Sequence, residues 1–393
     1  MPRRRSSLRS RAGRSRARYR GMGRDGSGIR VAVITTSLRE DMNVLWRATA
    51  QLVEEQILIG PRSTGSAGFG GELVLPLADR NLGPNGMYQH LSHLRRELRR
   101  FGPDLVHFNG ELWTVRALQV VASKVPFVAH GAENVWSHGN PIEQGIRDQL
   151  VSRALYRSSG YASWNRQGAG HAAEVIGDEA FPTCVVPAVI PPEVFRQTRW
   201  QLPEGDQLRV LLVGRLDRQK GFHLVLEAVA SWPGRITVTI CGDGSQRQSL
   251  VDQAARLGVS VRFVGQVETT TLARLMAEHS VLLQPSITTP SLMEQFGRSV
   301  AEALCVGVPV LTSTSGELPN VMGGEPRWTF DEDSVPALRD ALSGLVDQPI
   351  AMPIAMSQAQ KGLARQVDPT HAASKVVDFW HRAISFGSTA EGK

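Results

Sequence analysis

Arg209-Val210-Leu211-Leu212-Val213-Gly214-Arg215-Leu216-Asp217-Arg218-Gln219-Lys220-Gly221-Phe222 is an apolar run, then a polar turn bounded by two glycines, then the start of an amphipathic segment. An apolar run of this length reads as a parallel strand buried on both faces. The segment Phe222–Ala230 reads as the helix that follows it. The turn places Arg215 and Lys220 at a strand's carboxyl end, beside a helix N-terminus.

The alternation continues outward. Ile236–Cys241, Val261–Val264, Val281–Gln284 and Pro309–Thr312 read as strands. Gln246–Leu257, Thr271–Glu278 and Phe296–Cys305 read as helices. Upstream, a second series predicts strands at Ile29–Thr35, Leu105–Phe108, Phe127–Ala129 and Thr183–Val186. Its predicted helices are Met42–Glu54, Met87–Arg100, Leu112–Ser123 and Ile142–Arg157. In Met87–Arg100, Leu91, Leu94 and Leu98 share one face and arginines the other. Pro187, Pro191, Pro192 and Pro203 punctuate the join between the series. Two βαβ series joined by a linker predict an α/β protein of two doubly wound, Rossmann-like domains facing across a cleft. Ligands of such sheets bind beyond the carboxyl ends of the strands.

Composition agrees with a globular enzyme-sized chain. Of 393 residues, 41% are apolar and 21% charged. No apolar run reaches the roughly 18–20 residues that span a bilayer. Three distant cysteines, Cys184, Cys241 and Cys305, argue against a disulfide framework and for a reducing compartment. The net charge of +7 is uneven. Ten of the 44 basic residues, and only one acid, Asp25, fall within residues 1–27, leaving 34 bases against 36 acids in the remainder. That near-neutral body argues against nucleic acid as the partner. The tail itself lacks an apolar pattern and is expected to be disordered. It reads as a solvated extension, as the product of a start upstream of Met22, as an organelle transit segment, or as a contact for anionic lipid or nucleic acid. The expected location is cytoplasmic, with peripheral contact to the inner face of a membrane through this tail.

A second constellation is Glu294-Gln295-Phe296-Gly297 followed by Ser299-Val300-Ala301-Glu302-Ala303-Leu304. Seven residues separate the two glutamates. Glu294 enters a helix, and the amides of Gln295, Phe296 and Gly297 are expected there as free donors to a phosphate or a sugar. Glu302 sits in an apolar helix, where a carboxylate needs a partner. The vicinal hydroxyls of a ribose would serve, as would a salt bridge. For Arg215 and Lys220 the chemistry that fits is a diphosphate, and the plain alternative is a solvated loop.

With Gly242-Asp243-Gly244, Pro285-Ser286 and Gly307-Val308-Pro309-Val310, these residues resemble the nucleotide-sugar domain of GT-B glycosyltransferases, family 4, the group 1 retaining transferases. The likeness spans residues 208–323. It implies that Gly214, Arg215 and Lys220 hold the donor diphosphate. It implies that Glu294, with Gln295, Phe296 and Gly297, contacts the transferred sugar, and that Glu302 holds the ribose. It further implies that no cofactor or metal is needed; neither HExxH nor a Cys/His cluster occurs in the chain. In the first half, Phe101 to His107 resembles a common family strand. Val125 to Gly131 resembles the strand ending in the family's active-site histidine, which makes His130 a catalytic candidate and His107 a structural one. Trp113, Glu133, Asn134 and Trp136 are candidates for the acceptor side. Two features depart from the pattern. Thr35 to Asp41 lacks the usual glycine pair, and the hinge reads Pro187-Ala188-Val189-Ile190-Pro191.

The expected organisation is a tail at 1–27, an acceptor-side domain at 28–187 and a linker at 188–207. A nucleotide-sugar domain at 208–365 follows, then a returning helix and short tail at 366–393. The expected activity is retaining transfer of a hexose from a nucleotide diphosphate sugar, UDP before GDP, to a small-molecule or lipid-linked acceptor. The alternatives are a GT-B nucleotide-sugar epimerase and a non-catalytic nucleotide-sugar-binding protein; a nucleic-acid binder led by the tail is the fourth reading.

Overall fold

The computed structural model describes residues 28–35, 40–61, 73–77, 79–80, 90–131, 141–186, 188–290 and 292–390. Thr36 to Arg39, Glu133, Asn134, Trp136 and the 1–27 tail lie outside them.

The first series forms β1 (Arg30–Thr35), β2 (Glu55–Pro61), β3 (Leu73–Leu77), the short antiparallel pair β4 (Asp79–Arg80) and β5 (His90–Leu91), β6 (Leu105–Asn109), β7 (Phe127–Gly131), β8 (Gly160–Ser163) and β9 (Thr183–Val185). The second forms β10 (Leu208–Val213), β11 (Ile236–Cys241), β12 (Val261–Gly265), β13 (Val281–Gln284), β14 (Val310–Ser313) and β15 (Thr329–Phe330). Seven strands make one parallel sheet in the order β3-β2-β1-β6-β7-β8-β9, and six make the other, β12-β11-β10-β13-β14-β15. Both are doubly wound. Strand order reverses beside β1 and beside β10, and crevices open at such switch points. The β10 core residues Val210, Leu211 and Leu212 are fully buried, as the uninterrupted apolar run requires.

Some local expectations need correction. Of the predicted helix Met87–Arg100, residues 87–89 lie outside the described residues, and the rest is helical only over Leu94–Phe101. His90–Leu91 is drawn into pairing with Asp79–Arg80, and His93 has a left-handed φ of 67°, so the helix starts only after it. Leu91, Leu94 and Leu98 are nonetheless all buried. Strands β2, β3 and β8 and the helix Arg166–Ile176 had no expectation. β8, Gly-Tyr-Ala-Ser, carries little β signal because its glycine is forced by packing. A Cβ on Gly160 would lie 2.9 Å from the Phe379 ring.

Phe379 belongs to the last helix, Pro369–Ala390, which lies against the helix Glu40–Ala50 and against β7 and β9. Its Phe379 and Trp380 are fully buried, worth about 1.5–3 kcal/mol for each large apolar side chain. The chain therefore crosses between the sheets twice. The crossings touch: the Ile190 amide donates to the Val367 carbonyl at 3.3 Å, and Arg196 pairs with Asp368 at 2.5 Å. Ala188, Val189 and Ile190 are buried, so this proline-punctuated connection is packed apolar chain.

Candidate active site

β10 ends at the switch point of its sheet, between β11 and β13. Its loop is held tightly. Asp217 accepts from the Lys220 amide (3.2 Å) and pairs with the Arg215 guanidinium (3.2 Å). Gly221 has φ 68°, and a Cβ there would lie 1.9 Å from the Pro285 carbonyl oxygen. Gly242 has φ 137°, and a Cβ there would lie 1.9 Å from the Gly214 carbonyl oxygen. Only glycine allows these loops to touch.

Close approach brings Lys220 against the loop after β13. Lys220 Nζ lies 2.6 Å from Glu294 Oε2. The same oxygen accepts from Ser286 Oγ at 2.7 Å and from Gln284 Nε2 at 3.3 Å. Gln284 also donates to Ser286 (2.9 Å) and accepts from Ser299 Oγ (2.8 Å). The main chain of Glu294 is clamped as well. Its carbonyl accepts from the Glu317 amide at 3.0 Å, and a Cβ on Gly316 would lie 2.0 Å from that oxygen. Burial alone would push the Glu294 carboxyl up. The Lys220 charge, with hydrogen bonds from Lys220, Ser286 and the Gly297 amide, outweighs burial and holds it below the usual carboxylate range.

Two expectations are corrected here. The amides of Gln295 to Gly297 are not three free donors, because the Gly297 amide turns back to Glu294. The helix starts at Arg298, since Gly297 is left-handed (φ 80°) and caps it. Phe296 is buried. Glu302 accepts from Arg298 Nε at 2.9 Å, one turn away, which is the salt-bridge alternative. That side chain is 7% exposed and lies near Cys241, whose thiol is pushed up by burial and then by this carboxylate. Cys241 lines a cavity of about 270 Å³ with Gly214, Arg215, Asp243, Gln266 and Leu272. Arg215, 72% exposed, faces solvent at its rim. One side of the site thus offers two cations, two carboxylates and a pocket.

A triplet that the sequence reading passed over, Asp331-Glu332-Asp333, follows β15. Its Glu332 carboxylate accepts from the Thr288 amide, and its own amide donates to Thr314 Oγ1 at 3.1 Å. Among the described residues no three His, Cys, Asp or Glu side chains converge as a metal site.

The other sheet presents His130 at the end of β7. It is buried, its Nδ1 lies 3.1 Å from His107 Nε2, and burial lowers its pKa to about 3. A group so weakly basic is a hydrogen-bonding ring, with no charge to lend near neutral pH. Trp113 is half-buried, with the Arg147 guanidinium 4.5 Å above its ring, so one face is already covered. Glu133, Asn134 and Trp136 lie outside the described residues. The two sheets meet at Glu317: its carboxylate accepts from the Arg166 amide at 2.9 Å. Burial raises the Glu317 pKa, and the Arg166 amide and charge offset that only in part.

Asp217, Gln284 and Glu317 had been missed. Gln284 had a readable signal, as an amide closing the otherwise apolar strand Val281–Gln284.

Two doubly wound parallel sheets, with a cation–carboxylate network at the switch point of one, form the GT-B architecture. Residues 194–362 match the family model described as glycosyl transferases group 1. The 2-deoxystreptamine glucosyltransferase of Streptomyces kanamyceticus is 27% identical over 311 residues, covering 73% of this chain and 79% of that one. A glycogen synthase of Mycobacterium tuberculosis is 33% identical over 175 residues, 42% of this chain and 40% of that one. The crystal structure of HepE from Anabaena in complex with UDP superposes with a TM-score of 0.66 at 17% identity, covering 90% of this chain and 99% of that one. The chain is an enzyme of sugar transfer. Among the described residues no helix is long and apolar enough to cross a membrane.

Proposed function

We propose that the protein transfers a hexose, with retention of anomeric configuration, from a nucleotide diphosphate sugar to an acceptor hydroxyl. UDP is the favoured nucleotide, in keeping with HepE, solved with UDP. The observation that carries the reading is the Lys220–Glu294 contact of 2.6 Å at the sheet's switch point. An ammonium has three donors, and only one is spent on Glu294. The others remain for a phosphate, with Arg215 at the rim as a second cation. Negative charge grows on the departing diphosphate as the sugar–oxygen bond breaks. Lys220 and Arg215 stabilise that charge, a role worth about 3–4 kcal/mol per preorganised donor. Glu294 orients the sugar hydroxyls, and Glu302 takes the ribose by exchanging its Arg298 contact. Fixed cations make a divalent metal unnecessary in this scheme. The acceptor is a small molecule or a lipid-linked sugar.

The test is release of nucleotide from UDP- and GDP-sugars with a panel of acceptors, with and without a chelator. Acceptor-dependent release that survives the chelator supports the reading. Conversion of the donor without acceptor, or no release with any pair, would refute it.

A further inference from the structure

We propose that Trp380 and His107 are positioning residues that lock His130 into the neutral tautomer carrying its proton on Nε2. The inference rests on the reading above and adds to it that His130, the catalytic candidate of the sequence, meets the donor sugar.

An indole N–H can only donate. Trp380 Nε1 lies 2.9 Å from His107 Nδ1, so that nitrogen must accept. The His107 proton is then on Nε2, which lies 3.1 Å from His130 Nδ1. His130 Nδ1 accepts in turn, and its own proton must sit on Nε2. The direction of the chain cannot be reversed, because its first member has no lone pair to offer. Nor can either ring take up a further proton, since that would set two N–H groups against each other. The packing agrees. Trp46 meets His107 edge-on at 4.9 Å, and Trp164 lies 5.7 Å from His130. Burial holds both imidazoles well below their ordinary pKa, and the neighbouring His130 lowers His107 further.

His130 Nε2 has no hydrogen-bond partner among the described residues, although it is buried. Buried donors are almost always satisfied in folded proteins, and exceptions concentrate at functional sites. This one belongs to the last-but-one residue of β7, at the carboxyl edge of its sheet where doubly wound folds bind ligands. The ligand it suits is a hydroxyl or ring oxygen of a sugar. Trp380 stands on the helix that returns from the other sheet through the paired crossings at Ile190 and Val367, 273 residues from His107 in sequence. The donor atom on one sheet is therefore set by an element that arrives from the other.

The test is long-range ¹H–¹⁵N NMR of the full chain with labelled histidine at pH 7, beside steady-state kinetics. His107 and His130 should both show the pattern of a proton on Nε2. Trp380→Phe keeps the ring and removes the N–H. It should mix the His130 tautomers and lower kcat roughly 3- to 10-fold, the range of one neutral hydrogen bond, with KM for the nucleotide sugar changed less than about 2-fold. His107→Gln, which keeps an N–H toward His130, should retain more turnover than His107→Leu. Circular dichroism melts identify any variant that fails to fold, and the wild-type NMR pattern stands independently of them. A proton on His130 Nδ1 in the wild type, or an unchanged kcat once the tautomer has shifted, would overturn the proposal. The Nε2 pattern in a chain that releases no nucleotide would support the relay and count against the proposed transfer alone.

Discussion

The two sheets end in opposite kinds of chemistry. At β10 and β13 the carboxyl edge is charged, and its groups hold one another: Lys220 to Glu294, Ser286 and Gln284 to the same oxygen, Arg215 to Asp217. At β6 and β7 the edge is neutral, a file of rings with one N–H left over. A diphosphate needs fixed charge, whereas a neutral sugar needs oriented hydrogen bonds. The difference teaches that a preorganised cation must itself be held by an anion, and that this couples binding to folding.

Lys220 and Arg215 are the sharpest way to break that comparison. Alanine at either position should lower turnover about 10²–10³-fold. Stability should separate them. Lys220 and Glu294 side chains are only 18% and 13% exposed, so Lys220→Ala strands a buried carboxylate and should cost about 3–5 kcal/mol. Arg215 is largely exposed, and its loss should leave the melt within about 0.5 kcal/mol. Adding Glu294→Gln to Lys220→Ala should restore stability without restoring turnover. Equal melts for the two single variants would show that the buried pair does not exist in solution.

Gly221→Ala comes next. It would drive a methyl into the Pro285 carbonyl and force a left-handed φ, at about 1–3 kcal/mol. Nucleotide affinity should fall with it, because the contact sets the distance between Lys220 and the β13 loop. Wild-type affinity by calorimetry would argue that the loops do not form one site.

The pH dependence separates the edges again. The Glu294 carboxyl is depressed in the folded chain, so its contribution is present above about pH 4.5 and is lost as pH falls through the lower folded value. The histidines are also depressed, and their contribution is full above about pH 6.5 and drains away as pH falls, for His130 down to about 3. Urea unfolding should therefore show stability dropping by about 1–2 kcal/mol per buried histidine between pH 6.5 and 5, before carboxylates titrate. A double variant, His107→Gln with His130→Gln, should flatten that window. An unchanged slope would place the histidines in water. The smallest effect belongs to Arg298→Ala. Arg298 is 41% exposed but Glu302 only 7%, so the loss removes one contact of a buried carboxylate and should lower stability by about 1 kcal/mol.

The charged edge was more legible in the sequence than the neutral one. Arg215 and Lys220 lie in one turn, and Glu294 and Glu302 on one short segment, so spacing alone proposed them. Contacts between distant positions left no such trace: Lys220 with Glu294 across 74 residues, Arg166 with Glu317 across 151, Trp380 with His107 across 273. Strand β8 was hidden because Gly160 answers to Phe379, far along the chain, and not to its own neighbours. His107 was read as structural, and the structure gives it a directional role between two other rings.

Thermal unfolding with nucleotide tests the central claim most directly, that the β10 cations grip a diphosphate. UDP at 100 times its Kd should add about 2.7 kcal/mol to the wild type. Uridine at the same concentration should add far less, and the gain from UDP should vanish in Arg215→Ala. Equal stabilisation by uridine and UDP, or a gain that survives the loss of Arg215, would contradict the account.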